Sequence, residues 1–439
     1  MRRAHACVRQ VVLAHSSYPR AFSAAPKSPS LPIPQQALNL VKALVVGRAR
    51  LYAAGALLGA GAAYAVWRTE SESGIVRGMC RVMEAGGRPG WDACYWNDAR
   101  AVVARPGVDS ELAALLLPAV VTKYAVVVGP SGTGKSTSVR KLVRSSKGVL
   151  YFSTRELIAD FALDLARTVG YRTPIDFVDR VRRAVTGETK EQAPAPLQAQ
   201  EPRATWSPLS RLLREAASLY RQRHGRAPTL VLDAMDLVAK SDPAFFAQLQ
   251  DFAKACADSG VLRVVLVLSD GAALPLLLSS AAQSRCDRDQ VCEVGDIDLA
   301  DAVAYIKATF PASRYAKDEA QAWELVRTVT GGRFPLLQDY GKTLRPVEDV
   351  RRVLDIETRA QLRAAQVPPT HPLLAALLDS PTHSLPRDEA EGMLEAPRVS
   401  ALLRQNLLAT HPDGTYTFNT AHGRECIRAA QAAHAAAQA

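Results

Sequence analysis

Short apolar runs alternate with amphipathic stretches over residues 100–295. Four runs, each ending in or followed by Gly or a polar residue, lie at residues 124–128, 149–152, 228–233 and 262–268. Runs of this length, rich in Val and Leu, are typical of strands that are buried on both faces of a parallel sheet. A last strand is predicted near residues 291–294. The pattern predicts an α/β domain with a parallel sheet.

The first apolar run leads directly into a glycine-rich loop. Residues 129–137 read Gly-Pro-Ser-Gly-Thr-Gly-Lys-Ser-Thr, and a helical pattern follows. Strand, loop and helix in this order are the context of the GxxxxGK[ST] phosphate-binding loop, or P-loop. Its N–H groups and the helix N-terminus are expected to bind the phosphates of ATP. The predicted binding residues are Gly129, Pro130, Ser131, Gly132, Thr133, Gly134, Lys135, Ser136 and Thr137.

Three side chains predict how ATP and Mg²⁺ are held. Lys135 supplies a positive charge to the β- and γ-phosphates, and the Ser136 hydroxyl is a Mg²⁺ ligand. Asp233 ends the apolar run 228–233, where a carboxylate can hold the water shell of the ion. The chain is therefore predicted to be a P-loop nucleoside triphosphatase with ATP and Mg²⁺ as cofactors.

Three further residues are candidates for catalysis. Asp236 could polarise the attacking water as a general base, although an acid there could equally cap the next helix. Ser269, at the end of the run 262–268, is a candidate sensor of the γ-phosphate. Arg285 precedes the last predicted strand and could act on the ATP of a neighbouring copy; the alternative is a solvated surface arginine.

With these elements assembled, the chain resembles the STAND and archaeal-type ATPases, a branch close to the AAA+ proteins. The resemblance covers roughly residues 100–430. It rests on the complete P-loop, on Asp233-Ala-Met-Asp236 as a Walker B pattern, and on the lead-in around Arg105. It also rests on residues 331–335, Gly-Gly-Arg-Phe-Pro, which are similar to the GG-x-P element of the helical lid. In this family that element contacts the nucleotide.

The chain departs from the family in ways that bear on hydrolysis. Ala234 stands where typical AAA+ enzymes carry Glu, and Phe334 is an extra residue before Pro335. No unambiguous arginine finger stands out. The resemblance implies a slow, conformationally coupled ATPase or switch as readily as a fast motor.

The remaining chain is assigned to a loop and two further domains. Residues 186–208, rich in Gln, Ala, Glu and Pro, predict an exposed loop. The predicted domains are a core over residues 100–295, a helical lid over 296–360 and a winged-helix-like domain over 361–439. The last assignment rests on a predicted helix over Val399–Leu408, followed by an Asp-Gly turn and an alternating strand.

The N-terminal sequence predicts a targeting signal and a membrane anchor. Residues 1–30 are rich in Arg, Ser and Ala without an acid, the composition of a mitochondrial transit peptide. A linker and a transmembrane helix are expected within residues 31–77. The uncharged segment 51–67 would extend about 26 Å as a helix, close to a bilayer core. We therefore expect a single span in the mitochondrial inner membrane, with its orientation open. A buried soluble helix is the alternative.

The charge distribution and the cysteine spacing bear on whether the chain binds nucleic acid or metal. The formal net charge is +11, but nine of the 54 basic residues precede the first acid, Glu70. The remaining 45 nearly balance the 43 acids, so the basic balance is no argument for nucleic acid, which is an unlikely partner. The seven cysteines form no CxxC pair and have no His partners at zinc-finger spacing, which predicts reduced thiols and no metal site among them.

The sequence therefore predicts an ATP-binding, ATP-hydrolysing conformational switch or remodelling ATPase. The alternatives are a nucleotide-gated scaffold that does not hydrolyse ATP and a nucleic-acid-handling ATPase. Gly55 and Gly59 have the spacing of helix-dimer contacts, so a homo-oligomer is possible. The protein partner is unknown.

Overall fold

The computed structural model describes residues 72–86, 103–154, 161–171, 202–269, 273–278 and 286–438. All of them belong to one compact unit, Glu70–Ala439. The predicted transit peptide, the predicted span 51–67 and Arg285 lie outside these ranges. Within the ranges, no helix is both long and apolar enough to cross a membrane.

A five-stranded parallel sheet forms the centre of the first domain. Its strands are β1 (Ala125–Val128), β2 (Val149–Ser153), β3 (Thr229–Asp233), β4 (Arg263–Val267) and β5 (Val291–Glu293). They lie in the order β2-β3-β4-β1-β5, and every pair is parallel. The four apolar runs of the sequence and the last predicted strand correspond to these five strands. Since the sheet is parallel, the carboxyl ends of β1, β3 and β4 share one edge, with β4 in the middle.

Helices cover both faces of this sheet, which explains why its strands are apolar throughout. The helices of the first domain are α1 (72–85), α2 (Pro106–Leu116), α3 (Lys135–Ser145), α4 (Phe161–Thr168), α5 (Pro202–His224), α6 (Met235–Ser241), α7 (Pro243–Ser259) and α8 (Ala273–Leu278). Leu112 of α2 and Val139 of α3 pack with Val127 and Val265 on one face. Residues of α1 and α4 to α8 pack on the other face.

The start of α5 corrects the end of the predicted loop 186–208, whose residues 186–201 lie outside the described ranges. The helix begins at Pro202, with Pro208 inside it. Trp206 is buried against the rings of Phe161, Phe245 and Phe252. Packing of this aromatic ring thus outweighs the helix-breaking tendency of proline.

A helical lid follows the sheet and has its own core. Its helices are α9 (Leu299–Thr309), α10 (Arg314–Lys317), α11 (Glu319–Leu325), α12 (Phe334–Gly341) and α13 (Val347–Ala364), with a π-helical turn over Val326–Thr330. Helix α13 continues past residue 360, the predicted boundary between the lid and the C-terminal domain. Val350 and Leu354 of α13 belong to the lid core while Leu362 packs into the next domain, and one continuous helix serves both.

The C-terminal region combines helices with a small antiparallel sheet. Its elements are α14 (Pro372–Asp379), β6 (Ser384–Pro386), α15 (Arg387–Met393), α16 (Ala396–Arg404), β7 (Leu408–Thr410), β8 (Thr415–Phe418) and α17 (Ala421–Gln438), with strand order β6-β8-β7. The Asp-Gly turn joins β7 to β8. The predicted helix over Val399–Leu408 ends early, at Arg404, because Asn406 turns the chain with a φ of +56° and Leu408 pairs with Phe418.

Candidate nucleotide site

The P-loop leaves the sheet between β1 and α3 in a conformation that glycine makes possible. Gly129 has a φ of +145°, and a side chain there would collide with the carbonyl of Val294 after β5. Gly134, with a φ of +92°, directly precedes the first turn of α3. The loop N–H groups thus stand at a helix N-terminus, as the binding of ATP phosphates requires. Ser136 is half-buried and Thr137 exposed in the first turn of α3.

The Lys135 side chain lies along its own loop. Its Nζ donates hydrogen bonds to the carbonyl oxygens of Gly129, at 2.8 Å, and Pro130, at 2.7 Å. Burial lowers the pKa of Lys135 to about 8. The ammonium group is therefore available to a phosphate once it leaves these two carbonyls.

The candidate magnesium carboxylate is held from three sides. Asp233 ends β3 and is 2% exposed. Its Oδ2 accepts a hydrogen bond from the Tyr151 hydroxyl of β2 and lies 3.9 Å from Arg140 Nη2, while Oδ1 accepts from the N–H of Ala234 at 2.8 Å. A carboxylate here and the Ser136 hydroxyl offer the hard oxygen atoms that Mg²⁺ prefers, so these residues fit the ion.

The two candidate catalytic groups Asp236 and Ser269 meet at the sheet edge. Asp236 lies in the first turn of α6, and its Oδ1 accepts a hydrogen bond of 3.1 Å from the Ser269 N–H after β4. Ala234 has a φ of +60°, which turns the chain sharply from β3 into α6. The hydrogen bond from the Ser269 N–H holds Asp236 beside this candidate sensor.

The Gly-Gly-Arg-Phe-Pro segment of the lid lies directly on the P-loop. The Phe334 N–H donates to the Gly132 carbonyl at 3.2 Å, and a side chain at Gly132 would meet the Pro335 ring at 2.7 Å. The extra residue Phe334 packs its ring beside Gly134 and against Tyr305, with ring centroids 5.5 Å apart. The lid therefore covers the phosphate-binding loop.

Arg333 joins the P-loop, the lid and the C-terminal region. Its guanidinium, only 7% exposed, pairs with Asp296 at 2.5 Å and donates to the Ser131 carbonyl at 3.0 Å. It also donates to the backbone carbonyl of Asn419 at 2.7 Å. Asn419 lies between β8 and α17, so one side chain spans all three parts of the site.

The C-terminal region closes one side of the site. A narrow cavity lies between the P-loop, the end of β4 and strand β7. Its lining residues include Gly129, Ser131, Ser269, Ala409, Thr410 and Asn419. The candidate sensor Ser269 and the C-terminal region thus face the same space.

The central segment of this fold matches a known family. Residues 122–274 match the AAA domain. This segment is an AAA-type P-loop ATPase domain. The match spans the P-loop, Asp233, Asp236 and Ser269.

Several solved structures are similar to this chain at low sequence identity. A Walker-type ATPase of Pyrococcus abyssi is 17% identical, covering 74% of this chain and 96% of its own, with a TM-score of 0.47. Cdc6p of Pyrobaculum aerophilum is 12% identical, covering 78% and 99%, with a TM-score of 0.35. The Aeropyrum pernix ORC1 protein, solved with DNA, is 15% identical, covering 77% and 95%, with a TM-score of 0.36. No curated protein matches the chain significantly.

Sequence reasoning missed several residues that position the AAA site. Tyr151 looked like one more strand residue, but its pairing with Val231 puts it on the face that carries Asp233 two residues later. A hydroxyl within an apolar strand was the available signal. The sequence indicates no contact for Arg105, yet its guanidinium donates to the carbonyls of Thr133 and Gly295, both at 2.9 Å. Asn419 carried no sequence signal.

Proposed function

We propose that this chain binds ATP with Mg²⁺, hydrolyses it, and uses the nucleotide state to change the packing of its lid and C-terminal region. The AAA domain supports nucleotide binding. The single observation that carries the switch is the bridge by Arg333 from the P-loop carbonyl of Ser131 to Asn419. A phosphate that moves the loop would pull on the C-terminal region through this side chain.

The proposed roles follow the geometry. Lys135 leaves the carbonyls of its own loop to meet the phosphates, and Ser136 with Asp233 holds the ion. Asp236 orients the attacking water, since its carboxylate is fixed against the Ser269 N–H at 3.1 Å. Arg285 is proposed to act on the ATP bound by a neighbouring copy of the chain.

A second candidate function, a nucleotide-gated scaffold without hydrolysis, is favoured by one observation. The Tyr151 hydroxyl and Arg140 engage the same oxygen of Asp233, and Ala234 stands where AAA+ enzymes of the resembled type carry Glu. A carboxylate engaged in this way is less available to an ion or to water. Such a protein would bind ATP and stop there.

The C-terminal region is proposed to be a winged-helix-like domain that receives the change and contacts a protein partner. Its order of helix, strand, two helices and a β-hairpin supports this assignment. The nucleic-acid alternative predicts salt-sensitive DNA binding by the full chain. Absence of that binding at low salt would remove the alternative.

A place in the mitochondrial inner membrane is proposed from the N-terminal composition alone. Expression of the full chain with a C-terminal fluorescent tag tests it. The proposal expects a mitochondrial signal that resists alkaline extraction and is lost when residues 1–30 are deleted. A diffuse signal from the full chain would contradict it.

ATP turnover by the full chain tests the proposed function. Lys135→Ala should abolish nucleotide binding and turnover, and Asp236→Asn should keep binding while turnover falls about 100-fold or more. Asp251→Asn, the same change at an exposed position on α7, is the matched control and should be fully active. Tight binding without turnover would establish the scaffold instead.

A further inference from the structure

Three metal-ligating side chains meet outside the nucleotide site, between α13 and α17. They are Asp355 on α13 and His422 and Cys426 on α17, and one ligand atom of each lies within 4.8 Å of the other two. His422 and Cys426 are four residues apart, so they share one face of the helix. Asp355 comes from the lid, far away in the sequence, and for this reason cysteine spacing alone predicted no such site.

The buried polar atoms of this cluster have unmet bonding capacity. His422 is 3% exposed. Among the described residues, neither of its ring nitrogens makes a well-aligned hydrogen bond, although the backbone of Leu354 is within reach, and Asp355 Oδ1 likewise has no well-aligned donor. The Nε2 atom of His422 lies 3.2 Å from this oxygen.

We propose that Asp355, His422 and Cys426 bind one Zn²⁺ ion. Nitrogen and oxygen ligands of a tetrahedral zinc ion, each about 2.0–2.2 Å from the metal, lie roughly 3.3 Å apart, close to the observed 3.2 Å. A thiolate with an imidazole selects zinc over the hard ions Mg²⁺ and Ca²⁺. The Asp355 side chain is 32% exposed, which gives the ion a route in and leaves the fourth position to water.

The surrounding charges are compatible with this ion. Burial and the neighbouring Asp355 carboxylate raise the pKa of the Cys426 thiol to about 11, while Arg359 acts to lower it. Zinc binding therefore displaces the thiol proton. The resulting thiolate and the carboxylate of Asp355 together balance the two charges of the ion.

The zinc site would join the lid to the C-terminal region at a point outside the nucleotide site. His422 and Cys426 lie in the first two turns of α17, and Asn419, the partner of Arg333, lies three residues before His422. An ion shared with Asp355 of α13 would fix this end of the C-terminal helix to the lid.

Cobalt spectroscopy on the full chain tests the site directly. The reduced protein, freed of metal by a chelator, is titrated with Co²⁺ as a probe of tetrahedral thiolate coordination. One equivalent should produce the near-ultraviolet charge-transfer absorption of a cobalt–thiolate bond, and Zn²⁺ should displace it. The Mg²⁺ site supplies only oxygen ligands and contributes no such absorption. No band at one equivalent would overturn the proposal.

Matched variants assign the band to these residues. Cys426→Ser should lose it, whereas Cys256→Ser, at a buried thiol of α7, should keep it. His422→Gln should raise the zinc dissociation constant more than about 100-fold, since even the second-shell partners of zinc ligands contribute 10–100-fold. Asp355→Asn changes a partly exposed side chain, with folding checked by circular dichroism, and should weaken zinc binding at least about tenfold. A band that survives Cys426→Ser, or unchanged zinc affinity in Asp355→Asn, would refute the three-residue site.

Discussion

The Arg333 guanidinium donates a hydrogen bond to the backbone carbonyl of Asn419, 86 residues further along the chain. Because the same guanidinium reaches the carbonyl of Ser131 in the P-loop, the nucleotide site and the C-terminal region share one rigid connection. The ion pair with Asp296 fixes its orientation. A lysine could make only part of this planar set of contacts.

Arg333→Lys should therefore loosen the C-terminal region while leaving the sheet intact. We expect faster amide exchange at residues 405–420 and a loss of about 2 kcal/mol in the free energy of unfolding, because buried groups lose charge-assisted hydrogen bonds. Hydrogen–deuterium exchange measures the first and denaturant unfolding the second. Arg352→Lys, at an exposed position of α13, should change neither. Unaltered exchange in Arg333→Lys would show that the bridge does not hold the region.

The Tyr151 hydroxyl is predicted to compete with Mg²⁺ for Asp233. Tyr151→Phe removes this donor without changing the shape of the side chain, so the Mg²⁺ concentration for half-maximal turnover should fall about fivefold, the equivalent of a net hydrogen bond of ~1 kcal/mol. Magnesium titration of ATP turnover makes the measurement. Tyr124→Phe, at the end of β1 opposite the P-loop, should leave the titration unchanged. A higher Mg²⁺ requirement in Tyr151→Phe would instead assign Tyr151 to positioning Asp233 for the ion.

How much the sequence revealed depends on the range of each interaction. The strands and the P-loop could be predicted because local apolar runs and a contiguous pattern specify them. The contacts of Arg333 and Tyr151 could not, since each depends on residues brought together by the tertiary fold. The prediction of a loop over residues 202–208 was wrong for the same reason. Burial of Trp206 stabilises the helix there, and local composition does not show that burial.

Glu293 on β5 contacts His411 in the β7–β8 hairpin. This pair predicts that the stability of the protein depends on pH. The Glu293 carboxylate raises the pKa of His411 above its ordinary value, with a smaller contribution from Asp413. A raised pKa means that the stabilisation is complete below about pH 6.5 and is lost as the pH rises through the folded pKa. The difference in Tm between wild type and His411→Gln should thus shrink as the pH rises above about 6.5. His434→Gln, in the exposed last turns of α17, provides the control; a constant difference would contradict the pair.

The lowered pKa of Lys135 predicts how ATP affinity responds to pH. Burial reduces it to about 8, so at higher pH the free protein must take up a proton before the ammonium can meet the phosphates. ATP affinity should fall about tenfold between pH 7 and pH 9. Calorimetric titration across this range measures it. Lys135→Gln should bind more weakly with no comparable slope, and a wild-type affinity that stays flat to pH 9 would place the ammonium pKa higher.

Hydrogen–deuterium exchange of the full chain with and without Mg²⁺ and ATP addresses the proposed switch most directly. If the nucleotide acts through the P-loop and Arg333, ATP should change exchange at residues 129–137 and also at residues 405–420. The second change should disappear in Arg333→Lys, and both should disappear in Lys135→Ala. A nucleotide effect confined to residues 129–137 in the wild type, at saturating ATP, would contradict a switch that reaches the C-terminal region.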